Sequence, residues 1–383
     1  MQQALDLAHN AIGVSDPNPR VGCVIGTDDG HVLGVGSTQQ AGGPHAEVMA
    51  LRAAEASGNA QRLRGATAWV TLEPCAHHGR TPPCCDALVA QGLARVVVAL
   101  KDPFPGVSGQ GLARLRAAGV QVDGADTDQA TAAWALNIGF FSRVMRQRPW
   151  VRLKVASTLD GRTSLDNGVS QWITGEAARR DGHAWRRRAS AVLTGIGTVL
   201  CDDPRLDVRL VPSGRQPLRV VVDSRLRLPA NARLFSAPGQ VLVASAGADS
   251  DRVAALLALG VEVVDLPGHA TAGGQAAVDL GGLLSTLAAR GVNELHVEAG
   301  PRLNAGLLQA GWVDELLVYV APSLVGPGQG MVAWPALQTL SQCSPWRYRS
   351  VDLAGDDLRL RLTPRDADFG HVPPHLQVSE VFT

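Results

Sequence analysis

The chain reads as an α/β protein of two domains, and three observations carry that reading. Its 383 residues exceed what one domain usually takes, roughly 100–200. Short apolar strands alternate with helical patterns through the first third, the mark of a layered domain with a mainly parallel sheet. From about Arg143 the texture changes, and a second series of Val- and Leu-rich strands begins.

The elements follow in order. Leu5, Ala8 and Ile12 recur at helical spacing, so residues 2–12 read as an amphipathic helix, broken by SDPNPR. VGCVIG and HVLGVG flank TDDG as a hairpin. His45 to about Ala56 reads as a helix, entered through a Gly-Gly-Pro break. ATAWVTL is a strand closed by EPC, residues 84–91 are helical, ARVVVAL is a buried strand, and GLARLRAAG is a helix with a glycine stop. RVMRQRPW, basic and holding a proline, reads as a linker. VRLKVAS, AVLTGI, LRVVVDS, QVLVAS, ELHVEAG and ELLVYVAP are the strands of the second domain. The boundaries expected are 1–145 and 149–365. RDADFGHVPPHLQVSEVFT lacks either period, so residues 366–383 read as a flexible tail.

Composition narrows the function classes. Lys+Arg and Asp+Glu both number 35, which argues against a nucleic-acid partner, since such proteins usually carry a basic excess. MQQALDLAHN has neither the basic nor the apolar region of a signal peptide. No apolar run approaches the ~18 residues of a membrane span, so no membrane partner is expected. Six scattered cysteines do not make a disulfide framework. The expectation is a cytoplasmic chain acting on a small molecule, where cysteines serve as metal ligands, catalytic groups or core fillers. A homo-oligomer is compatible with this.

GGPHAEVMA puts His45 and Glu47 two residues apart, and TLEPCAHHGRTPPCC follows with Cys75, Cys84 and Cys85. One His and two Cys supply three zinc ligands and leave the fourth position open, as catalytic rather than structural zinc sites do. Zinc brings the pKa of its bound water toward ~7, and a carboxylate must then carry protons; Glu47 is the candidate. The order matches the zinc-deaminase signature, His-x-Glu followed by Pro-Cys-x-x-Cys with the Glu not a ligand. The second spacing departs, because eight residues separate Cys75 from Cys84. His77 and His78 compete for the ligand role but read better as facing substrate or solvent, and Cys85 reads as packed. Cys23, Cys201 and Cys343 are isolated and read as small buried hydrophobes.

The second domain offers a weaker signal. HVEAGPRLNAGLL is a strand, a Gly-Pro turn and a helix whose first N–H groups could bind phosphate. It lacks Gly-x-Gly-x-x-Gly, so a standard Rossmann site is not supported.

PNPRVGCVI, GPHAEVMAL, TLEPCAHHGRTPPCCDAL, STLDGRTS, SQWITG, LCDDPRL and VEAGPRLNAGLL occur in this order. Together they resemble the RibD/RibG family of bifunctional riboflavin-biosynthesis deaminase/reductases, from near residue 1 to about residue 363. The long insertion AHHGRTPP sets the chain apart from cytidine and tRNA-adenosine deaminases. The resemblance implies a cytidine-deaminase-like three-layer domain over residues 1–145 and a dihydrofolate-reductase-like α/β domain over residues 149–365.

For the first domain the resemblance implies zinc on His45, Cys75 and Cys84, Glu47 as proton carrier, and removal of the 2-amino group from a diaminopyrimidinone ribosyl phosphate. Asn18 resembles a base or ribose contact. Arg80 would clamp phosphate, because a guanidinium pairs bidentately with its oxygens; a solvated loop charge is the other reading. For the second domain it implies NADPH and reduction of ribosyl to ribityl. Ala156, Trp172, Thr198, Asp202, Ser224, Gly300, Pro301, Arg302, Leu303, Asn304, Ala305 and Gly306 correspond to cofactor contacts. Ser170, Arg186, Leu206, Arg209 and Glu298 correspond to substrate contacts, with Lys154 and Glu298 for ring opening and proton transfer. Trp172 could instead be core, Asp202 a plain cap, and Lys154 an outward, solvated strand residue. One departure stands out: the family usually reads Asp-Pro-Asn-Pro where this chain has KDPFPG, so Phe104 replaces an amide.

Two alternatives compete. A nucleoside or tRNA deaminase fused to an unrelated α/β domain fits the long cysteine spacing and neutral charge poorly. A structural zinc module would need four protein ligands and no Glu47.

Overall fold

The computed structural model describes residues 1–76, 83–247, 249–269 and 276–378. They form two compact units, one of Met1–Gln147 with the segment from Asp368, the other of Arg148–Ala367.

The first unit runs α1 (Gln2–His9), β1 (Gly22–Gly26), β2 (Val32–Ser37), α2 (Ala46–Ala56), β3 (Thr67–Val70), α3 (Cys84–Ala90), β4 (Arg95–Val98), α4 (Gln110–Ala117), β5 (Gln121–Gly124), α5 (Thr127–Leu136) and α6 (Ile138–Arg146). The sheet order is β2-β1-β3-β4-β5. β1 is antiparallel to β2 and β3, whereas β3, β4 and β5 are parallel. The uninterrupted Val96–Val98 run is buried, as a strand covered on both faces requires. α2 lies so close on β2 that a Cβ at Gly36 would collide with the Ala46 carbonyl, so this glycine seats the helix start that carries Glu47.

Two expectations change here. RVMRQRPW is not a linker over most of its length: α6 continues through Arg146, and Gln147 stops it in the left-handed conformation at φ 56°. Arg143 and Arg146 made the stretch look like a solvated connector, yet cations favour the last turn of a helix. The expected flexible tail is also different over its described part. Phe369 packs on Trp134 with ring centroids 5.0 Å apart, and the Arg146 guanidinium covers it at 4.0 Å. Leu376 is buried, and its carbonyl accepts from the Lys101 N–H at 2.9 Å. Two isolated apolar anchors hold this segment, and such anchors leave no periodic signal.

The second unit runs β6 (Trp150–Thr158), β7 (Arg162–Leu165), α7 (Glu176–Arg188), β8 (Ala191–Gly195), α8 (Ile196–Asp202), β9 (Leu218–Val222), β10 (Val241–Ser245), α9 (Ser250–Ala258), β11 (Glu262–Asp265), α10 (Leu280–Ala289), β12 (Glu294–Val297), α11 (Pro301–Gln309), β13 (Glu315–Ala321), β14 (Gly328–Gly330), β15 (Trp346–Ala354) and β16 (Asp357–Pro364). Among the described residues, nine strands make one sheet in the order β11-β10-β9-β8-β12-β6-β13-β16-β15, and β14 pairs with β7 apart from it. All neighbours from β11 to β13 are parallel, and the β15–β16 hairpin adds an antiparallel edge. That edge escaped the sequence reading because Arg347, Arg349, Arg359 and Arg361 fill it, although they obey the two-residue strand period. Val151, Leu153, Leu193, Val220, Leu295 and Val297 build the core at the sheet's centre. Among the described residues no helix is long and apolar enough to cross a membrane.

Candidate functional site

In the first unit, His45 is the extended residue before α2, Cys75 follows β3 in the EPC turn, and Cys84 opens α3. Three separate pieces of chain therefore end at one point. One donor atom from each lies within 4.8 Å of the others. His45 Nδ1 is 3.6 Å from Cys75 Sγ and 3.2 Å from Cys84 Sγ. Tetrahedral zinc, with Zn–S near 2.3 Å and Zn–N near 2.0–2.1 Å, needs S···N separations of about 3.5 Å. The donor set thus fits zinc in element type and in spacing. The Cys75 thiol is driven down by its hydrogen bond with Cys84 and then by His45, while the same pairing drives Cys84 up. The Cys84 backbone N–H also donates to Cys75 Sγ at 3.3 Å. Cys85 turns away and donates to the Cys75 carbonyl at 3.0 Å.

Glu47 is buried at the start of α2, beside the donors, and burial pushes its carboxyl up to about 7. A group poised there can take and return protons near neutral pH. A cavity of about 480 Å³ joins His45, Glu47 and Cys75 to Asn18, Asp102, Phe104 and Arg143. Arg80, His77 and His78 lie outside the described residues.

Glu73 was not singled out from the sequence. Its buried carboxylate accepts backbone N–H bonds from Asp102 (3.1 Å), Gly109 (2.9 Å), Gly111 (2.8 Å) and Leu112 (3.3 Å). It thereby ties the 102–109 loop and the start of α4 to the cavity wall. Gly111 has to be glycine, because a Cβ there would run into the Pro74 carbonyl. The signal was present, since an acidic residue inside TLEPC breaks an otherwise apolar strand end.

The second unit carries two adjoining cavities of about 610 and 540 Å³ that share Lys154, Ala156, Ser170, Thr198, Asp202 and Glu298. The first is lined by residues 300–304 at the start of α11, where free N–H groups can meet phosphate. Ala305 and Gly306 sit further along that helix and are not in the wall, and Ser224 follows β9 beside the wall residue Val222 without lining it. The second cavity holds Trp172, Arg186, Leu206 and Arg209. Trp172 is 66% exposed, so it is not core, and the Arg179 guanidinium lies 4.8 Å from its ring. Asp202 accepts from the Ser170 hydroxyl at 3.0 Å.

Glu298 is the electrostatic centre of this cleft. Burial pushes its carboxyl up, but Arg186, His296 and Lys154 more than offset that and hold it well below the usual carboxylate range. It is therefore ionised, and cannot donate a proton near neutral pH. Lys154 lines both cavities rather than pointing into solvent, and burial lowers its ammonium pKa. Arg179, Arg205 and Arg233, none of them singled out from the sequence, add cations to the second cavity. Asp207 fixes two of the cations, meeting Arg205 and Arg209 at 2.7 Å each. Arg179, His183 and Arg186 stand at i, i+4 and i+7 on α7, a spacing that the run of arginines concealed.

Comparison with known proteins finds a family match in each unit. Residues 1–100 match the cytidine and deoxycytidylate deaminase zinc-binding region, and residues 149–358 match the RibD C-terminal domain. The riboflavin biosynthesis protein RibD of Escherichia coli is 42% identical, with 94% of this chain and 98% of the relative covered. That of Aquifex aeolicus is 38% identical, with 94% and 96% covered. The solved Acinetobacter baumannii RibD is 40% identical and superposes with a TM-score of 0.85, covering 95% of this chain and 98% of that one. A Thermotoga maritima diaminohydroxyphosphoribosylaminopyrimidine deaminase/5-amino-6-(5-phosphoribosylamino)uracil reductase is 32% identical, with a TM-score of 0.82 and 95% and 97% covered. With sequence kinship over nearly its whole length, a zinc donor set in one unit and a reductase domain in the other, the chain belongs to the RibD family of riboflavin biosynthesis, bifunctional enzymes that join a zinc-dependent deaminase to an NADPH-dependent reductase.

Proposed function

We propose that the chain deaminates 2,5-diamino-6-ribosylamino-4(3H)-pyrimidinone 5′-phosphate in its first unit and reduces the product's ribosyl group to ribityl in its second. The substrate follows the description of the Thermotoga maritima relative. The observation that carries the reading is the three-donor cluster of His45, Cys75 and Cys84 with buried Glu47 beside it.

His45 Nδ1 and the two thiolates hold zinc, which when bound acidifies water so that it can act near neutral pH. Glu47 accepts the proton of the attacking water. It then returns protons to the ring nitrogen and to the departing amine, so that the amino-bearing carbon gains oxygen and ammonia leaves. Asn18 orients the base or ribose at the cavity edge. Arg80 takes the phosphate.

In the second unit, residues 300–304 with Ala156, Trp172, Thr198 and Asp202 hold NADPH, which when bound supplies hydride. Ser170, Arg186, Leu206 and Arg209 hold the sugar phosphate, and the cationic wall of Arg179, Arg205 and Arg233 adds to its attraction for phosphate. Lys154 delivers the proton that ring opening at C1′ requires. Glu298 acts through its negative charge, keeping Lys154 and Arg186 in place and stabilising positive charge at C1′. A cytoplasmic setting belongs to the same reading, because a reducing compartment keeps Cys75 and Cys84 available as ligands.

The test is one mixture of enzyme, zinc, NADPH and the diaminopyrimidinone phosphate, with ammonia and the 340-nm absorbance followed together. Ammonia release that precedes NADPH consumption is expected. NADPH consumption without any ammonia would refute the order and the first unit's assignment.

A further inference from the structure

Phe104 is a large apolar side chain left 41% exposed in the wall of the deaminase cavity, at the position where the resemblance leads one to expect an asparagine. An exposed phenylalanine on a loose surface loop would need no explanation, but this loop is fastened. Glu73 binds the N–H groups on both sides of it, at Asp102 and at Gly109. Within the loop, the Asp102 carboxylate accepts from the Phe104 N–H at 2.9 Å, and the Phe104 carbonyl accepts from the N–H groups of Val107 and Ser108, both at 2.9 Å. The ring itself packs against buried Phe140, with centroids 6.0 Å apart and planes at 64°. Arg143 then lies against the Phe140 ring at 5.6 Å, and its guanidinium donates to the Pro17 carbonyl at 3.1 Å. The backbone and one neighbour of Phe104 are thus set in advance, while much of its surface remains uncovered in a cavity that also contains His45 and Glu47.

Such an arrangement suits a flat, apolar-faced ligand group. Aromatic rings gain from offset or edge contact beyond the area they bury, and a pre-ordered wall spares the ligand the cost of ordering it. A ribosyl phosphate, being polar throughout, would gain little. We propose that Phe104 is a specificity-determining residue of the deaminase site, contacting the pyrimidine ring of the substrate where an asparagine would offer hydrogen bonds. This rests on the deaminase reading above. Recognition in this chain is accordingly shifted toward the base and away from polar contacts at this edge.

The experiment measures ammonia release by full-length, zinc-loaded wild type and the variants F104A, F104N, F104L and F104Y. It also measures inhibition by two fragments, a diaminopyrimidinone base without its sugar and ribose 5-phosphate without a base. F104A and F104N should raise the deaminase KM about tenfold, the size of a lost aromatic contact, with kcat within threefold and zinc content unchanged. F104Y should stay within threefold of wild type, and F104L, which keeps apolar volume on the loop without a π face, should lie between. The base fragment's inhibition constant should rise by the same factor as KM, while that of ribose 5-phosphate stays fixed. A wild-type KM in F104A and F104N, or a change confined to ribose 5-phosphate, overturns the proposal alone. Wild type that releases no ammonia from the pyrimidine phosphate overturns the deaminase reading, and this proposal with it.

Discussion

Arg186 and Glu298 meet fork to fork, Nε to Oε1 at 2.5 Å and Nη2 to Oε2 at 2.9 Å, with only 13 and 17% of their side chains exposed. The pair fixes the carboxylate as an anion in the cleft that also holds Lys154, and His296 Nε2 lies 3.3 Å from the same Oε1. Burial lowers the pKa of that imidazole against the opposing pull of Glu298, and Arg152 and Arg186 add to the lowering. Glu298→Gln keeps the shape and removes the charge. NADPH oxidation by the deaminated intermediate should fall on the order of 10²-fold, the scale of a lost electrostatic partner, while ammonia release is unchanged. Equal losses in both assays would argue against two separate sites.

Glu47→Gln should keep zinc and abolish ammonia release, with a loss of at least about 10²-fold, typical of a removed general base. Metal analysis beside the ammonia assay checks both halves. Retained deamination in a zinc-loaded variant would remove Glu47 from the proton path.

Cys84→Ala should lose zinc, and Cys85→Ala should keep it, because Cys85 Sγ is committed to the Cys75 carbonyl. Stripping the wild type with a chelator should abolish deamination and spare the reductase, whose cleft is lined by none of the three donors. Zinc retained in Cys84→Ala and lost in Cys85→Ala would reverse the ligand assignment.

How much of this was legible in the sequence depended on where each signal resides. The cluster of His45, Cys75 and Cys84 was readable because thiols and an imidazole at strand-to-helix turns have few other uses, and two of the three, His45 and Cys84, sit at the start of a helix whose period was visible. Glu73 was visible only as an acidic residue at an apolar strand end; its role was not readable, because its partners are backbone N–H groups that the residues from 102 to 112 do not advertise. The α7 face was hidden for a different reason: Arg179 and Arg186 belong to a stretch with Arg180, Arg187 and Arg188, and only the fold separates the cations that face the cleft from the rest. The ends of the two units were misread where single anchors, Phe369 and Leu376, or a capped basic turn replaced periodicity.

Glu73→Ala should free four backbone N–H groups, two of which flank the Phe104 loop. Hydrogen bonds to a charged group contribute about 1.5–3 kcal/mol each, although they do not add when they share one acceptor. The expected result is a lower melting temperature for the first unit and a deaminase KM raised by about tenfold or more, with zinc retained and reductase activity unchanged. Glu73→Gln, which can still accept through one oxygen, should recover part of the loss. Normal deaminase kinetics in Glu73→Ala would show that the loop holds its place without the carboxylate.

Glu315 makes the second unit's stability depend on acid. Its carboxylate, 2% exposed, meets Arg152 at 2.9 Å and Arg361 at 2.7 Å and accepts from Trp150 Nε1 at 3.1 Å. Burial alone would raise its pKa, but the two guanidinium groups bring it down to about 2 from 4.5. A carboxyl depressed in the folded state contributes stability that is complete above its unfolded value and is lost as pH falls through the folded one. The contribution, about 3 kcal/mol from a shift of that size, should therefore be whole at pH 7 and disappear between about pH 4.5 and pH 2. Glu315→Gln leaves Arg152 and Arg361 short of a charge, so urea unfolding at pH 7 should show the transition of the second unit weakened by a similar amount. The gap between variant and wild type should then close as pH approaches 2, where Glu315 takes up a proton. A gap of constant size across that range would mean that the carboxylate's charge contributes nothing, and that the glutamine is penalised for its shape instead.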